Sequence, residues 1–262
     1  MLGEIAEAED MVQNVYEKWI AAENVREPKA YLARMVVNQS IKRLNELKVL
    51  RETYTGQWLP EPIITLEETA SPTIEYGLLF LLERLNPIER AVFILRESFN
   101  EEYSYIAELT GLSTENCRQT LHRSFDKLDR KPNHVVDKLK HNALIEAFLL
   151  SVIQRDRTSL EQILRSDIEL FSDGGGKRNA ALKPLFGFEK VHKFFFGVMQ
   201  LTENQGEAFE FVPAFVNGVP ATLILRKADK TLDSIQYFEC DDTTITRLLL
   251  VRNPDKLKLS TV

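Results

Sequence analysis

Side chains suited to reading DNA bases fall on one face of a short helical stretch, residues 103–128. Arg118 and Gln119 carry hydrogen-bonding groups that match guanine and adenine edges in a major groove, and His122 and Arg123 follow where they can hold phosphates. Helical spacing turns the apolar side chains inward and leaves an outward polar row. The row comprises Thr114, Glu115, Arg118, Gln119, His122 and Arg123. The spacing predicts a DNA-binding face; the alternative is an ordinary helical pair with a solvated polar face.

Three small residues shape the element that would position this row. Ala107 is small where two helices must cross closely, Gly111 permits the sharp turn between them, and Ser113 is a good N-cap for the second helix. These features predict a helix-turn-helix.

The charge changes sign along the first part of the chain. Residues 1–23 carry six acidic side chains against Lys18 alone, whereas residues 26–51 carry seven basic side chains against Glu27 and Glu46. The net charge of the whole chain is −6, but DNA binding depends on where charge lies and not on its sum. An acidic surface followed by a basic one is therefore predicted.

Patterns typical of catalysis or metal binding are weak. The segment DGGGK at residues 173–177 is not a phosphate-binding loop, because the spacing to the lysine is wrong and no Ser or Thr follows. Cys117 and Cys240 fit neither a disulfide framework nor a metal-ligand spacing, so we predict reduced packing residues. Asp173 is the only obvious candidate for a general base in a pocket. We predict no enzymatic activity, no cofactor and no metal site.

Length and composition indicate a folded protein with more than one domain. With 262 residues, 44% hydrophobic and 27% charged, the chain exceeds what one core usually organises. Its apolar runs fall short of the roughly 20 residues that cross a bilayer, and its acidic start lacks a secretory leader. We expect a cytoplasmic protein without a membrane span.

Helical periodicity covers residues 4–22 and 28–50, and it returns in four segments at 74–85, 87–97, 103–110 and 114–130. The intervening residues 52–73 hold three prolines and a glycine, which predicts an extended linker. Further on, helices at 137–154, 159–164 and 188–201 precede four β-branched and aromatic runs, at 207–216, 221–227, 234–240 and 245–251. An α+β unit with a curved antiparallel sheet is predicted. It holds 11 of the 15 phenylalanines, which either form its core or line an apolar pocket.

Residues 85–128 closely resemble region 4 of the extracytoplasmic-function sigma factors, the domain that docks on the −35 promoter element. The resemblance implies that the outward row reads this element. Those proteins often end the recognition helix in a run of arginines, whereas this chain has Ser124, Phe125, Asp126 and Lys127. We therefore expect weaker DNA affinity than is usual in the family.

The segment AEAEDMVQNVYEKWI at residues 6–20 resembles the region-2 helix of the same family, which grips the clamp helices of the polymerase largest subunit. The resemblance implies a polymerase-binding face formed by Asp10, Gln13 and Glu17. The resemblance also implies that the chain begins inside a helix that continues upstream in relatives. The region-2-like domain is therefore expected to be N-terminally incomplete.

Residues 26–46 resemble the region-2 segment that reads and opens the −10 element. The resemblance places Asn38 near a flipped-out base, where a polar pocket and flanking cations are chemically reasonable. Lys42 stands where the family usually has an acidic residue. The implied −10 contacts are Arg34, Asn38, Lys42 and Arg43.

Three short motifs, WLPEP at 58–62, DGGGK at 173–177 and NPDKL at 253–257, resemble the sigma-factor group with a C-terminal SnoaL-like domain. We expect NPDKL to reach back toward the other domains, or else only to cap the last strand. We expect Asp173 and Lys177 either to line the mouth of a pocket or to pair on the surface. The resemblance implies a regulatory role for the following residues: Trp58, Pro60, Asp173, Gly175, Lys177, Asn253, Pro254, Asp255 and Lys256.

The resemblance covers nearly the whole chain and implies a multidomain fold. Two all-α DNA- and polymerase-binding domains, the second a helix-turn-helix, would precede an α+β cone-shaped SnoaL-like barrel. The expected boundaries are a region-2-like domain at 1–51, the linker at 52–74, a region-4-like domain at 75–132 and the SnoaL-like domain at 135–255.

The implied function is that of an alternative sigma factor. It would bind core RNA polymerase, direct it to −10 and −35 promoter elements, and be regulated by the C-terminal domain, with a small molecule or protein as a further ligand. Two alternatives remain: a one-component ligand-responsive helix-turn-helix regulator, and a SnoaL-like enzyme domain fused to a DNA-binding module. A sigma factor needs core polymerase to bind its promoter tightly, whereas a repressor does not.

Overall fold

The computed structural model describes residues 1–23, 25–68, 74–128 and 137–258. The chain divides into two compact units, one formed by Met1–Thr53 with Leu78–Pro132 and the other by Tyr54–Gly77 with Asn133–Val262. Most of the segment predicted as an extended linker therefore belongs to the second unit. The expected domain ends at residues 132 and 135 lie outside the described residues.

The helices of the first unit follow the periodicity of the sequence. Pro28 opens α2 and a capping box between Asn86 and Glu89 opens α4, so both helices begin where local chemistry favours a start. The residues after α4 continue as a π-helix, Ile94–Ser98. The helices are α1 (Ile5–Ile20), α2 (Pro28–Arg51), α3 (Tyr76–Leu82, whose first two residues belong to the second unit), α4 (Pro87–Phe93), α5 (Tyr103–Thr110) and α6 (Thr114–Leu128).

A small apolar core joins α2 to the helix-turn-helix. Val37 of α2 packs with Ala91 of α4 and Leu109 of α5, and all three are nearly fully buried. Phe93 of α4 meets Phe125 of α6 edge to face, with ring centroids 5.4 Å apart. The first unit is thus one packed helical body in which α2 lies against α4 and α5.

The second unit is a curved sheet with helices on one face. Its sheet order is β1-β4-β5-β6-β7-β2-β3. Its elements are β1 (Ile64–Thr65), α7 (Lys138–Gln154), α8 (Arg157–Ile163), β2 (Leu164–Asp173), β3 (Leu185–Phe186), α9 (Phe188–Asn204), β4 (Phe209–Val216), β5 (Val219–Arg226), β6 (Leu232–Cys240) and β7 (Ile245–Val251), with a final 3₁₀ turn, Pro254–Lys256.

The predicted α+β fold is confirmed, but the prediction of an antiparallel sheet is wrong for one pair of strands. Strand β2 runs parallel to β7, with Ser172 opposite Leu250 and Asp173 opposite Val251. The sheet is therefore mixed. The sequence pattern gave no signal for β1, β2 or β3, and β2 is the strand that ends in the DGGGK motif.

The core of the second unit lies between the concave face of the sheet and the helices α7 and α9. Phe148 of α7 meets Phe195 of α9 and Phe238 of β6, with ring centroids 5.1 and 5.4 Å apart. No helix among the described residues is long and apolar enough to cross a membrane.

Candidate functional site

The helix-turn-helix has the local geometry that its sequence predicts. Helix α5 ends at Gly111, whose φ of +74° is the left-handed conformation that glycine adopts without a steric cost. Helix α6 begins after Ser113, whose hydroxyl accepts a hydrogen bond from the Asn116 N–H at 3.1 Å. Two local caps therefore fix the angle at which α6 leaves α5.

One face of α6 is packed and the other is open. Cys117, Leu121 and Leu128 are buried, as are Ile106 and Leu109 of α5, whereas Leu112 in the turn is only half-buried. Of the predicted DNA-facing row, Thr114 is half-buried, and the exposed members are Glu115, Arg118, Gln119, His122 and Arg123.

Glu115 contacts both side chains that are suited to reading bases. Its carboxylate lies 3.6 Å from Arg118 Nη1 and accepts a hydrogen bond of 3.3 Å from Gln119 Nε2. Arg118 also lies over the Tyr103 ring, 5.2 Å from its centroid. These contacts hold the guanidinium and the amide side by side, with one acidic neighbour that a bound base would have to displace or use.

The C-terminal end of α6 is held by a buried carboxylate. Lys127 Nζ donates to Glu89 Oε1 at 2.6 Å, and Glu89 also closes the capping box of α4 with Asn86. Burial alone would raise the pKa of Glu89, but the hydrogen bonds from Lys127 and Asn86 lower it below its usual value. Lys127 therefore holds α6 on α4.

Of the four predicted −10 contacts, three are exposed and one is half-buried. Arg34, Asn38 and Lys42 are exposed on α2, and Arg43 is the half-buried one. Arg34 Nη2 donates to the Glu108 carbonyl at 2.9 Å, and Arg43 donates to both oxygens of Glu7 at 2.7 and 2.6 Å. The hydrogen bond from Arg43 lowers the pKa of Glu7.

The acidic face of α1 is open. Asp10, Gln13 and Glu17 are exposed, and Val15 is the buried residue of this helix. Beside them runs an apolar stripe of Val12, Tyr16 and Ile20, which are 48%, 53% and 82% exposed. A helix with an exposed apolar stripe next to acidic side chains can dock on a basic and apolar surface.

In the second unit, the three short motifs meet at Asp173. This residue ends β2 and is fully buried. Its Oδ1 accepts from Tyr54 Oη at 2.6 Å and from the Gly175 N–H at 2.9 Å, and its Oδ2 accepts from the Leu59 N–H at 3.0 Å and from Lys256 Nζ at 2.8 Å. A buried carboxylate with this many donors is strongly held.

Lys256 of NPDKL is the counter-charge. It is 6% exposed, and its Nζ donates to the Leu59 carbonyl at 2.6 Å as well as to Asp173. It lies over the ring of Trp58, 4.2 Å from the centroid, and 5.2 Å from that of Tyr54. One ammonium group thus connects the C-terminal motif to WLPEP and to DGGGK.

The loop of DGGGK is shaped to fit the tail. Gly175 has a φ of +60°, and a Cβ there would lie 2.5 Å from the side chain of Asn253. Asn253 donates from Nδ2 to Tyr54 Oη at 2.9 Å, and its Oδ1 accepts from the Asp255 N–H at 3.1 Å, which caps the 3₁₀ turn begun by Pro254. We call this cluster of 54–59, 173–177 and 253–256 the junction.

Residues beyond the junction hold the same segment along the sheet. Asn217 accepts from the Ile63 N–H at 3.0 Å and donates from Nδ2 to the Ile74 carbonyl at 2.9 Å. Tyr76 donates its hydroxyl to the Pro60 carbonyl at 2.8 Å, and burial, together with nearby Asp173, raises its pKa well above the usual value. We call residues 54–65, which end in strand β1 paired with β4, the strap.

Comparisons with known proteins find a family model for the helix-turn-helix and relatives that match most of the chain. The family model described as Sigma-70, region 4, matches residues 77–128. A curated relative, the ECF RNA polymerase sigma factor SigJ of Mycobacterium tuberculosis, is 29% identical over 211 residues, which cover 76% of this chain and 68% of the relative. The probable ECF RNA polymerase sigma factor SigI of the same species is 27% identical over 179 residues, covering 63% of this chain and 60% of the relative.

The solved structure of Mycobacterium tuberculosis extracytoplasmic function sigma factor SigJ matches this fold with a TM-score of 0.73 at 27% identity, over 97% of this chain and 90% of the other. The chain is thus similar to extracytoplasmic-function sigma factors over nearly its whole length. These findings support an alternative sigma factor that directs core RNA polymerase to promoter DNA and carries a fused C-terminal domain.

The match to the region-4 family model spans the helix-turn-helix and its outward row.

Both alternatives given for Asp173 are wrong, because this residue neither lines a pocket mouth nor pairs with Lys177. It is buried against Lys256, and Lys177 instead pairs with Asp255 at 2.6 Å, with both side chains more than half exposed. Chain proximity within DGGGK was a poor guide because the parallel β2–β7 pair brings the tail to this end of the sheet.

Sequence reasoning missed four residues of the strap and its contacts. Tyr54, Tyr76 and Asn217 lie outside the three motifs, and Leu59 lies within WLPEP but was given no role. Each of the four donates or accepts a hydrogen bond that holds the strap. The one available signal was Asn217-Gly218 between two β-rich runs, which is typical of a tight hairpin turn.

Proposed function

We propose that this sigma factor reads a −35 element with the outward row of α6 and a −10 element with Asn38 and its basic neighbours on α2. Exposure of Arg118, Gln119, His122 and Arg123 on a capped recognition helix supports the first assignment. Exposure of Asn38 and Lys42 supports the second, and Arg34 would exchange Glu108 for DNA phosphate on binding.

Core polymerase would dock on α1. The exposed acidic face of Asp10, Gln13 and Glu17, next to an apolar stripe, offers both the charge and the apolar area that such a contact needs. We place the protein in the cytoplasm, because core polymerase and promoter DNA are there.

The two DNA-reading helices must separate on a promoter. Elements named −10 and −35 lie about 25 base pairs apart, which is roughly 85 Å along DNA at about 3.4 Å per base pair. In the structure α2 instead packs on α4 and α5 around Val37, Ala91 and Leu109. This packing suits a resting form of the sigma factor, which opens when polymerase and promoter bind.

The C-terminal unit would control that opening through the strap. The segment between α2 and α3 limits how far α2 can move from the helix-turn-helix. Only residues that are not held on the second unit can extend, each by about 3.3 Å. While the junction and Asn217 hold the strap, residues 54–65 cannot contribute to this reach. The buried Lys256–Asp173 pair and its contacts with Leu59 carry this proposal.

The proposed control of opening by the strap is tested by measuring transcription by core polymerase from a promoter that has both elements. Asn217→Gly removes two strap contacts while keeping the backbone free to adopt a φ of +51°, and Lys256→Met removes the cation of the junction. We expect both to raise output several-fold per folded molecule. Lys177→Met is the matched control, since that lysine reaches only the exposed Asp255 among its hydrogen-bond partners in the described residues.

Wild-type output from folded Asn217→Gly and Lys256→Met proteins would rule out control through the strap. It would leave the sigma-factor activity itself intact. Tight promoter binding in the absence of core polymerase would instead favour a one-component regulator. A small-molecule ligand of the C-terminal unit would be a further partner.

A further inference from the structure

Glu115, on the first turn of α6, contacts two side chains of the outward row through different oxygens. Its Oε1 accepts a hydrogen bond of 3.3 Å from Gln119 Nε2, and its Oε2 lies 3.6 Å from Arg118 Nη1. All three side chains are exposed. A negative charge among groups that must approach DNA phosphates opposes binding, so its place in this row calls for an explanation.

The amide of Gln119 differs from the guanidinium of Arg118 in what it can present to a base. A glutamine amide carries an acceptor oxygen and two N–H donors, and rotation about its last side-chain bond exchanges them, whereas a guanidinium carries donors alone. A free glutamine can therefore accept from the amino group of adenine or cytosine, or donate to the carbonyl oxygen of guanine or thymine. Its base preference depends on which end of the amide faces the groove.

Glu115 fixes the orientation of the Gln119 amide. A carboxylate offers only acceptors, so it attracts the NH₂ group of Gln119 and repels the amide oxygen. With Nε2 directed at Glu115, the Oε1 of Gln119 is left to accept from a base, and the second N–H of Nε2 remains for an acceptor beside it. Adenine presents this combination in the major groove, with an amino group at N6 and an acceptor at N7.

The Glu115 carboxylate is itself held in place. Its other partner, Arg118, lies over the ring of Tyr103 on α5, 5.2 Å from the ring centroid, and Arg96 lies 4.9 Å from the same centroid. Arg96 in turn donates to the Glu101 carbonyl at 2.8 Å. Glu115 is therefore fixed relative to α5 as well as to α6, which limits the freedom of the amide to turn.

We propose that Glu115 is a positioning residue that makes Gln119 select an amino-bearing base of the −35 element, adenine in the first place, against guanine and thymine. The inference rests on the proposed reading of this element by α6. Arg118 presents donors in every orientation, so loss of Glu115 should leave its choice of base unchanged. The effect of Glu115 is thus expected at one position of the element, the one that faces Gln119.

Binding of the holoenzyme to a promoter library tests this role. Each −35 position carries all four bases in turn, with the −10 element constant, and the position that Gln119→Ala affects is the one that faces Gln119. We expect wild type to prefer adenine there over guanine and thymine by about tenfold. Glu115→Gln should reduce this preference to about twofold or less, because the new amide can pair with either end of Gln119.

A base analogue shows whether the amino group is what Gln119 reads. Replacing the adenine at that position by purine, which lacks the amino group, should weaken wild-type binding about tenfold. The same replacement should weaken binding of Glu115→Gln by about twofold or less, since its amide is free to turn. Equal losses for the two proteins would overturn the proposal.

A purely structural role for Glu115 gives a different result. An acidic residue in the first turn stabilises a helix through the helix dipole, so its loss would weaken binding to every sequence alike. Asp126→Asn is the matched control, since it removes an exposed carboxylate from the same helix, one that contacts His122 at 3.1 Å. This variant should keep the wild-type preference at every position.

The double variant separates orientation of Gln119 from a direct contact between Glu115 and a base. If Glu115 acts through Gln119, Glu115→Gln adds no further loss of preference to Gln119→Ala, whereas independent contacts give losses that add. The proposal is overturned by additive losses, by wild-type preference or uniform weakening in folded Glu115→Gln, or by a wild-type preference for guanine or thymine. These outcomes leave the reading of DNA by α6 intact. A Gln119→Ala variant without effect at any position would overturn both.

Discussion

Lys256 and Asp173 stand 83 positions apart in the chain and form a buried ion pair, with Nζ 2.8 Å from Oδ2. Side-chain exposure is 7% for the lysine and 0% for the aspartate. The pair is sandwiched between the strap and the end of β2, so removing either charge leaves the other in a site that water does not reach.

The Lys256→Met variant should lower the free energy of unfolding of the second unit by about 3–5 kcal/mol, because the Asp173 carboxylate stays buried without its cation. The exposed pair of Lys177 and Asp255 gives the comparison, and Lys177→Met should cost less than about 1 kcal/mol. Denaturant unfolding monitored by tryptophan fluorescence measures both. Equal losses would mean that burial of the Lys256 pair adds nothing.

Gly175→Ala should destabilise the second unit by more than Gly206→Ala. Both glycines have a positive φ, +60° and +68°, so both variants suffer backbone strain of about 1 kcal/mol. An added Cβ meets Asn253 at 2.5 Å in the first case, whereas nothing lies within 4 Å of it in the second. Thermal melting should show the larger drop for Gly175→Ala, and matching melting temperatures would count against close contact between the loop and the tail.

Arg118→Ala and Gln119→Ala should each cost about 1–3 kcal/mol in promoter binding by the holoenzyme and relax the preference at particular −35 bases. Arg123→Ala should weaken binding to all sequences alike and reduce its salt dependence, as expected for a phosphate contact. Binding to a library of −35 sequences at two salt concentrations separates the two effects. A uniform loss from all three variants would contradict direct reading of bases.

Reversing charge at Asp10 and Glu17 to Lys should abolish co-purification with core polymerase without unfolding the protein, since exposed charges add little to stability. Glu161→Lys changes an equally exposed carboxylate on α8 and should co-purify as wild type. Circular dichroism checks that each variant is folded. Retained co-purification of the folded double variant would remove α1 from the polymerase interface.

Glu89→Gln should lower the stability of the first unit at neutral pH by about 1–3 kcal/mol, because it breaks the charge-assisted bond to Lys127. The pKa of Glu89 is depressed in the folded state, so its stabilisation is present above the usual value of 4.5 and is lost as the pH falls through the folded pKa. The difference in the free energy of unfolding between wild type and variant should therefore narrow as the pH falls below the usual pKa of 4.5, in urea unfolding curves. A gap that is constant with pH would show that the charge of Glu89 is not involved.

Elements that depend on local chemistry could be predicted from sequence alone. The bounds of α5, the start of α6 and the whole of β7 agree with the spacing of apolar residues, with Gly111 and with Ser113. The inward and outward faces of α6 also follow from periodicity, because a helix fixes which side chains share a face whatever surrounds it.

What escaped prediction depends on residues that meet only after the chain has folded. Strand β2 carries charged side chains along much of its length, so its pairing with β7 decides its structure and local propensity does not. The same parallel pair brings Asp173 beside the tail, and Lys256 meets the Leu59 carbonyl across 197 positions.

The sequence by itself therefore determined the helix-turn-helix and the residues that face outward from it, because these follow from short-range spacing, and its motifs carried the resemblance to sigma factors. The tertiary structure decided which charges are free. Arg34 donates to the Glu108 carbonyl and Arg43 to the Glu7 carboxylate. Asp173 is buried against Lys256, and the segment predicted as a linker pairs with the sheet at β1. Such pairings form when folding brings distant segments into contact and removes their charges from water, so that each charge needs a partner. No local sequence pattern encodes these contacts.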